Sequence, residues 1–330
     1  MESLNGLDLK NETKAQAAKR VKLPLSRRAG KDDPVDYLPD PGLVDAIEAA
    51  LILRRPLLLT GEPGTGKTQA GNYLSWKLRY SDEALRFDAK STSTARDLFY
   101  TYNTIGRFQA AQTKAGSQDS VDYIKYNALG EAILRAARYD TVRQWLPDYF
   151  EHPGDPQQSV VLIDEIDKTP RDFPNDVLNE IENMQFRVPE FGNVLIQAEK
   201  EFAPAVVITS NSEKNLPAAF LRRCVYYHVG KPDKERFGKI VEARVGAKAD
   251  TPLMKSALDF FMFMRSNEAD LNKRPATAEL LDWILLLQAK GVRPDQDIKD
   301  VRPLVEASLG TLVKDEGRDG KELLKTWLSR

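Results

Sequence analysis

The sequence predicts an α/β fold, an αβα sandwich on a mostly parallel sheet, followed by a small all-helical domain. Three observations carry this. Short apolar, β-branched runs alternate with helical patterns through the first two thirds of the chain, as βαβ units require. A glycine-rich segment, Gly61-Glu62-Pro63-Gly64-Thr65-Gly66-Lys67-Thr68, lies between such a run and a helical stretch. Beyond Pro232 no strand pattern occurs and only helical periodicities remain.

The elements follow in order. Residues 33–42 are rich in Pro and Asp and read as a linker leading into the folded part. Leu43, Ile47, Ala50 and Leu51 have helical spacing, which predicts a first helix over 43–53. Pro56-Leu57-Leu58-Leu59 is a buried strand, and residues 68–78 are a helix. Residues 84–89 are a second strand, and Ser93 or Thr94 caps a helix beginning at Ala95. The segment 99–150 is long for a plain crossover and reads as inserted helical material, with helices over 107–114 and 128–139. Its aromatics Phe99, Tyr100 and Tyr102 read as core or interface. Residues 159–163 are a third strand, and residues 177–184 a helix. Residues 186–189 and 194–197 flank Gly192-Asn193 as a hairpin, with Pro189 confining the first arm to an edge. Residues 205–209 and 225–229 are the last strands. Helices are expected over 234–244, 253–265, 277–290 and 301–314. The domain organisation expected is a flexible basic tail over 1–33, an α/β core with inserted helices and a hairpin over 34–230 and a helical domain over 231–330.

Composition narrows the function. The 330 residues are 42% hydrophobic, enough for a core, and the net charge of −1 gives the whole chain no polyanion-binding character. The eight Lys/Arg from Lys10 to Lys31 form a basic tail, read as a solvated terminal linker in preference to a nucleic-acid or partner contact. Cys224 is the one cysteine, so an intrachain disulfide and a thiolate zinc site are excluded. His152 and His228 are the only histidines and stand far apart, which argues against a multi-histidine metal centre or a Ser-His-Asp triad. No long uncharged apolar run occurs, so no membrane segment is expected and a cytoplasmic location is.

Two motifs carry chemistry. Gly61 to Thr68 fits G-x-x-x-x-G-K-[ST] in a strand–loop–helix context. Its glycines let the backbone N–H groups curl inward toward phosphate oxygens, and the helix N-terminus adds partial positive charge. Lys67 reaches the β- and γ-phosphates, and the Thr68 hydroxyl ligates Mg²⁺. The run Ser159-Val160-Val161-Leu162-Ile163 ends in Asp164-Glu165. Asp164, at a strand's carboxyl end beside the phosphates, holds Mg²⁺ through water. Glu165 is placed to polarise an attacking water, which favours hydrolysis over binding alone. ATP and Mg²⁺ are the expected ligands.

With these residues in view, the chain resembles the AAA+ ATPases, and among them the MoxR family, over roughly residues 34–312. Asn211, closing Val207-Ile208-Thr209-Ser210-Asn211, resembles the sensor 1 residue, which the resemblance implies positions the attacking water. Leu216 to Cys224 resembles the segment carrying an arginine finger, in which Arg222 or Arg223 would act on a neighbouring subunit's γ-phosphate. Cys224 stands where family members commonly have Phe, a change conservative in burial. Arg274, before the helix from Thr277, resembles sensor 2. The hairpin over 186–197 is similar to the pre-sensor-1 insertion, and the material after Ser93 to the helix-2 insertion. The resemblance implies a ring, six subunits by analogy, that hydrolyses MgATP to remodel a partner protein carrying a von Willebrand factor A domain. Two rival readings are a nucleic-acid-stimulated motor, supported by the basic tail but opposed by the near-neutral net charge and the lack of a recognised DNA-binding domain, and a nucleotide-dependent scaffold with little turnover, opposed by Glu165.

Overall fold

A computed structural model describes residues 33–81, 83–113, 119–212 and 216–330. The expected basic tail lies outside the described residues. The described residues form two compact units: Tyr37–Lys231, and Pro232–Arg330 together with residues 33–36.

In the first unit, helix α1 spans Pro41–Leu53. It starts earlier than hydrophobic spacing alone predicts, because Asp40 Oδ1 accepts the Leu43 N–H at 2.8 Å and Pro41 is preset for the first turn. Strand β1 (Leu57–Thr60) leads into α2 (Lys67–Lys77), and β2 spans Leu85–Asp88. The expected helix at Ala95 is a single 3-10 turn, Ala95–Leu98, capped by Thr94.

The segment after Phe99 is not purely helical. Strands β3 (Tyr100–Tyr102) and β4 (Ile124–Tyr126) pair antiparallel, with Tyr100 opposite Tyr126. They flank α3 (Thr104–Thr113) and are followed by α4 (Ala128–Arg135) and the short α5 (Tyr139–Val142). Phe99, Tyr100 and Tyr126 are buried around Phe186, with ring centroids 5.3, 6.1 and 6.2 Å from it. This packing joins the insertion to the hairpin and offsets the weak intrinsic stability of three-residue strands.

Strand β5 (Val160–Asp164) is followed by α6 (Phe173–Asp176) and α7 (Leu178–Asn183). The hairpin strands are β6 (Gln185–Val188) and β7 (Val194–Gln197), paired antiparallel. Gly192 and Asn193 turn the chain with φ of 73° and 65°, as their residue types allow. Strand β8 (Ala205–Ser210), helix α8 (Ala218–Leu221) and β9 (Val225–His228) complete the unit.

Five strands form one parallel sheet in the order β2-β5-β8-β1-β9. Every residue of β1 and β5 is buried, which explains their unbroken apolar runs. The order sets β8 between β1 and β5. Thr60 is level with Ser210, and Asp88 with Asp164, so these carboxyl ends share one edge. Helix α2 packs over β5, where the absent side chain of Gly71 makes room for Leu162.

The second unit is helical: α9 (Lys234–Val245), α10 (Pro252–Arg265), α11 (Thr277–Ala289), α12 (Arg302–Glu306) and α13 (Gly320–Leu328). Phe237, Phe260, Phe261, Trp283 and Leu287 form its core. The helix expected over 301–314 is broken into α12 and a 3-10 turn, Leu309–Thr311. Buried Ser308 causes the break. Its hydroxyl donates to the Val305 carbonyl at 2.7 Å and accepts the Trp283 indole N–H at 2.8 Å, so it competes with the helix for its own backbone.

Candidate nucleotide-binding site

The site lies at the carboxyl edge of the parallel sheet. The loop after β1 begins at Gly61, whose φ is 143° and where a β-carbon would lie 2.6 Å from the Val229 carbonyl oxygen. It ends at Gly66, the left-handed residue (φ 89°) that starts α2. No side chain could occupy the first position, so the glycines here answer to geometry as the motif demands. Thr65 Oγ1 donates to the Glu62 carbonyl at 2.9 Å, and the Glu62 carboxylate pairs with Lys231 at 2.7 Å. Pro63 and Gly64 form the tip.

Lys67 is 6% exposed. Its ammonium donates to the carbonyls of Gly61 and Glu62, both at 2.9 Å, and to Asn211 Oδ1 at 3.0 Å. Burial lowers its pKa, against the pull of Asp164, Asp167, Glu165 and Glu62. The nearby carboxylates are what keep a buried cation tolerable.

Thr68 Oγ1 donates to Asp164 Oδ1 at 3.0 Å, which joins the two motifs directly. Asp164 is 4% exposed and also accepts from Thr209 Oγ1 at 2.5 Å and from the Arg86 guanidinium at 2.8 Å. Among the described residues no group of three or more His, Cys, Asp or Glu is arranged to hold a metal. A hydroxyl and a carboxylate side by side, with other positions left to water and phosphate, are instead the oxygen set that suits Mg²⁺.

Glu165 has the left-handed φ of 58°. That conformation turns the chain sharply after β5, and it is fixed because the Glu165 N–H donates to Thr209 Oγ1 at 2.8 Å. Its carboxylate accepts from Asn211 Nδ2 at 3.3 Å and bonds the Lys168 ammonium. The Lys168 ammonium holds this carboxyl below its usual range, burial opposes that, and Asn211 adds to it. Asn211 thus touches both Lys67 and Glu165, and its own N–H is held by Asp167 Oδ1 at 3.0 Å.

The structure therefore gathers Lys67, Thr68, Asp164, Glu165 and Asn211. It does not bring Arg222 and Arg223 to them. Both precede β9, whose Val225 is level with Leu57 at the start of β1, whereas the phosphate loop leaves β1 after Thr60. Three residues of parallel strand put about 10 Å between those edges, before any loop is counted. Arg223 pairs with Glu182 at 2.5 Å, whereas Arg222 is exposed and has no ion-pair partner among the described residues. Arg274 belongs to the helical unit, where it donates to Asn267 Oδ1 at 2.7 Å.

Sequence reasoning missed Arg86, Asp167 and Thr209. Asp167 follows the carboxylate pair closely and could have been flagged. Thr209 and Arg86 read only as strand residues, since their partners are brought close by the sheet order.

Residues 56–224, more than half of the 330, match the AAA domain of the dynein-related subfamily, and the chain belongs to that family. Membership carries nucleotide binding and ATP hydrolysis as general chemistry. No curated protein matches the sequence. Among solved structures, a RuvB point mutant from Thermotoga maritima is 16% identical with a TM-score of 0.48, covering 87% of this chain and 75% of that one. The S. cerevisiae Hsp104–ADP complex is 17% identical with a TM-score of 0.44, covering 78% of this chain and 47% of that one.

Proposed function

We propose that this chain is a MoxR-type ATPase that hydrolyses MgATP at the Gly61–Thr68 loop, in a ring whose sites are completed between subunits. The observation that carries the hydrolytic reading is Asn211, bonded at once to Lys67 and to Glu165. Lys67 holds the β- and γ-phosphates, and Asn211 ties that position to the carboxylate that faces water. Glu165, whose carboxyl the Lys168 ammonium holds below its usual range, accepts the proton of the attacking water. Thr68 and Asp164 would hold Mg²⁺, which when bound neutralises charge on the phosphate oxygens. Arg274 is proposed as the sensor from the helical unit. A pure scaffold has no use for the Glu165–Asn211 contact, which disfavours that alternative.

The shared-site part rests on the arginines. They lie at the opposite edge of the sheet from their own loop, so a finger role requires a neighbour's phosphate. Arg222, exposed and without an ion pair among the described residues, is the better finger; Arg223 is tied to Glu182. The ring acts on a partner protein, with a von Willebrand factor A domain as the proposed type and the cytoplasm as the proposed location. Six subunits is the proposed ring size.

Mixing two inactive variants tests this. Arg222→Ala keeps its phosphate loop and lacks the finger; Lys67→Ala keeps the finger and lacks the loop. Each alone should lose hydrolysis, by on the order of 10³-fold for the finger. Mixed rings should partly recover it. No recovery in demonstrated mixed assemblies would mean that Arg222 does not act in trans. Activity that responds to DNA or RNA and to no protein would favour the nucleic-acid motor instead.

A further inference from the structure

The phosphate loop has two sides. On one stand β8 and β5, whose carboxyl ends carry Asn211, Asp164 and Glu165, and Lys67 reaches that way to Asn211. On the other stands β9, with α1 anchored to it: Asp40, the cap of α1, accepts the Tyr227 hydroxyl. With its terminal phosphate by Lys67, Thr68 and Asp164, a nucleoside triphosphate can carry its sugar and base along the loop to the β9 and α1 side.

An aromatic ring waits there. Tyr37, just ahead of α1, lies against the loop: a β-carbon on Gly66 would be 3.3 Å from its Cε2. The ring is half-buried and held from behind. Tyr73 packs on it with centroids 5.3 Å apart and planes tilted by 43°, and Trp76 packs on Tyr73 at 6.1 Å. Tyr73 and Trp76 are three residues apart on α2, so they share a face. The same helix that begins at the phosphate loop therefore fixes the orientation of Tyr37. A base stacking on an aromatic ring needs such a fixed platform, because the ordering cost is then already met.

We propose that Tyr37 contacts the nucleobase by stacking, so that the site prefers a nucleoside triphosphate to a bare triphosphate. This rests on the reading that Gly61–Thr68 holds the phosphates, and the test separates the two. Titration calorimetry with MgATP and with Mg-tripolyphosphate, which has the phosphates without the base, is run on the full chain. Tyr37→Leu keeps bulk against Gly66 and loses the aromatic face. It should weaken ATP about tenfold or more, the usual worth of one base–aromatic stack, and leave tripolyphosphate within about twofold. Tyr37→Phe should keep both affinities. Equal weakening of both ligands by Tyr37→Leu would show that the ring only supports the loop and would overturn the assignment. So would an unchanged ATP affinity. Lys67→Ala should weaken both ligands; if it spared both, the phosphate-loop reading on which the assignment rests would fall.

Discussion

Thr209→Val removes one hydroxyl and should damage both stability and turnover. Thr209 is 1% exposed and its Oγ1 serves two partners. It accepts the Glu165 N–H at 2.8 Å and donates to Asp164 Oδ1 at 2.5 Å. Valine fills the same volume, so no cavity forms and the loss is polar. The two losses are unequal. Asp164 keeps Thr68 and Arg86 as donors, so it forfeits one charge-assisted bond, about 1.5–3 kcal/mol. The Glu165 N–H is left without its acceptor, about 1–3 kcal/mol if it finds no water. Neighbouring losses are not additive, so we expect about 3 kcal/mol in all. For a domain of this size that lowers Tm by about 6–12 °C. Turnover should fall as well, because the same bond fixes the left-handed turn that aims Glu165. Calorimetry and a steady-state ATPase assay measure both, and Thr209→Ser, which keeps the hydroxyl, should restore both. A valine variant with unchanged Tm and turnover would refute the bridging role.

Two further outcomes follow from buried groups. Burial pushes the Cys224 thiol up to about 12, with Arg55 opposing, so the native protein at pH 8 should resist iodoacetamide and react only once denatured; rapid native labelling would contradict the burial. Ser308→Ala should cost about 1–3 kcal/mol by orphaning the buried Trp283 indole N–H, read as a lower Tm with a shifted tryptophan emission, and an unchanged Tm would contradict a stabilising Ser308–Trp283 bond.

The parts legible in the sequence are those whose physics is local. The phosphate loop and the Asp164-Glu165 strand end announce themselves because glycine spacing and an apolar run ending in carboxylates have few other uses. The parallel sheet was legible from the same runs. Strand β4 was not, since three residues carry no period, and it exists because Tyr126 packs on Phe186. The single helix expected over 301–314 failed at Ser308, whose competing partner, Trp283, comes from another helix. Thr209 and Arg86 were hidden for the same reason: their roles are created when β2, β5 and β8 lie side by side. The sequence could not choose between Arg222 and Arg223 either, and the Glu182 ion pair is a tertiary fact that distinguishes them.

In the proposed mechanism one carboxylate, Glu165, activates water for a phosphate held by Lys67, with Asn211 joining the two. Glu165→Gln tests it most directly, since the amide keeps the shape and loses the charge. Calorimetry should find MgATP bound as tightly as in the parent protein, while single-turnover hydrolysis slows by on the order of 10²-fold or more. Tight binding with an unchanged rate would contradict the claim and assign the water to another group.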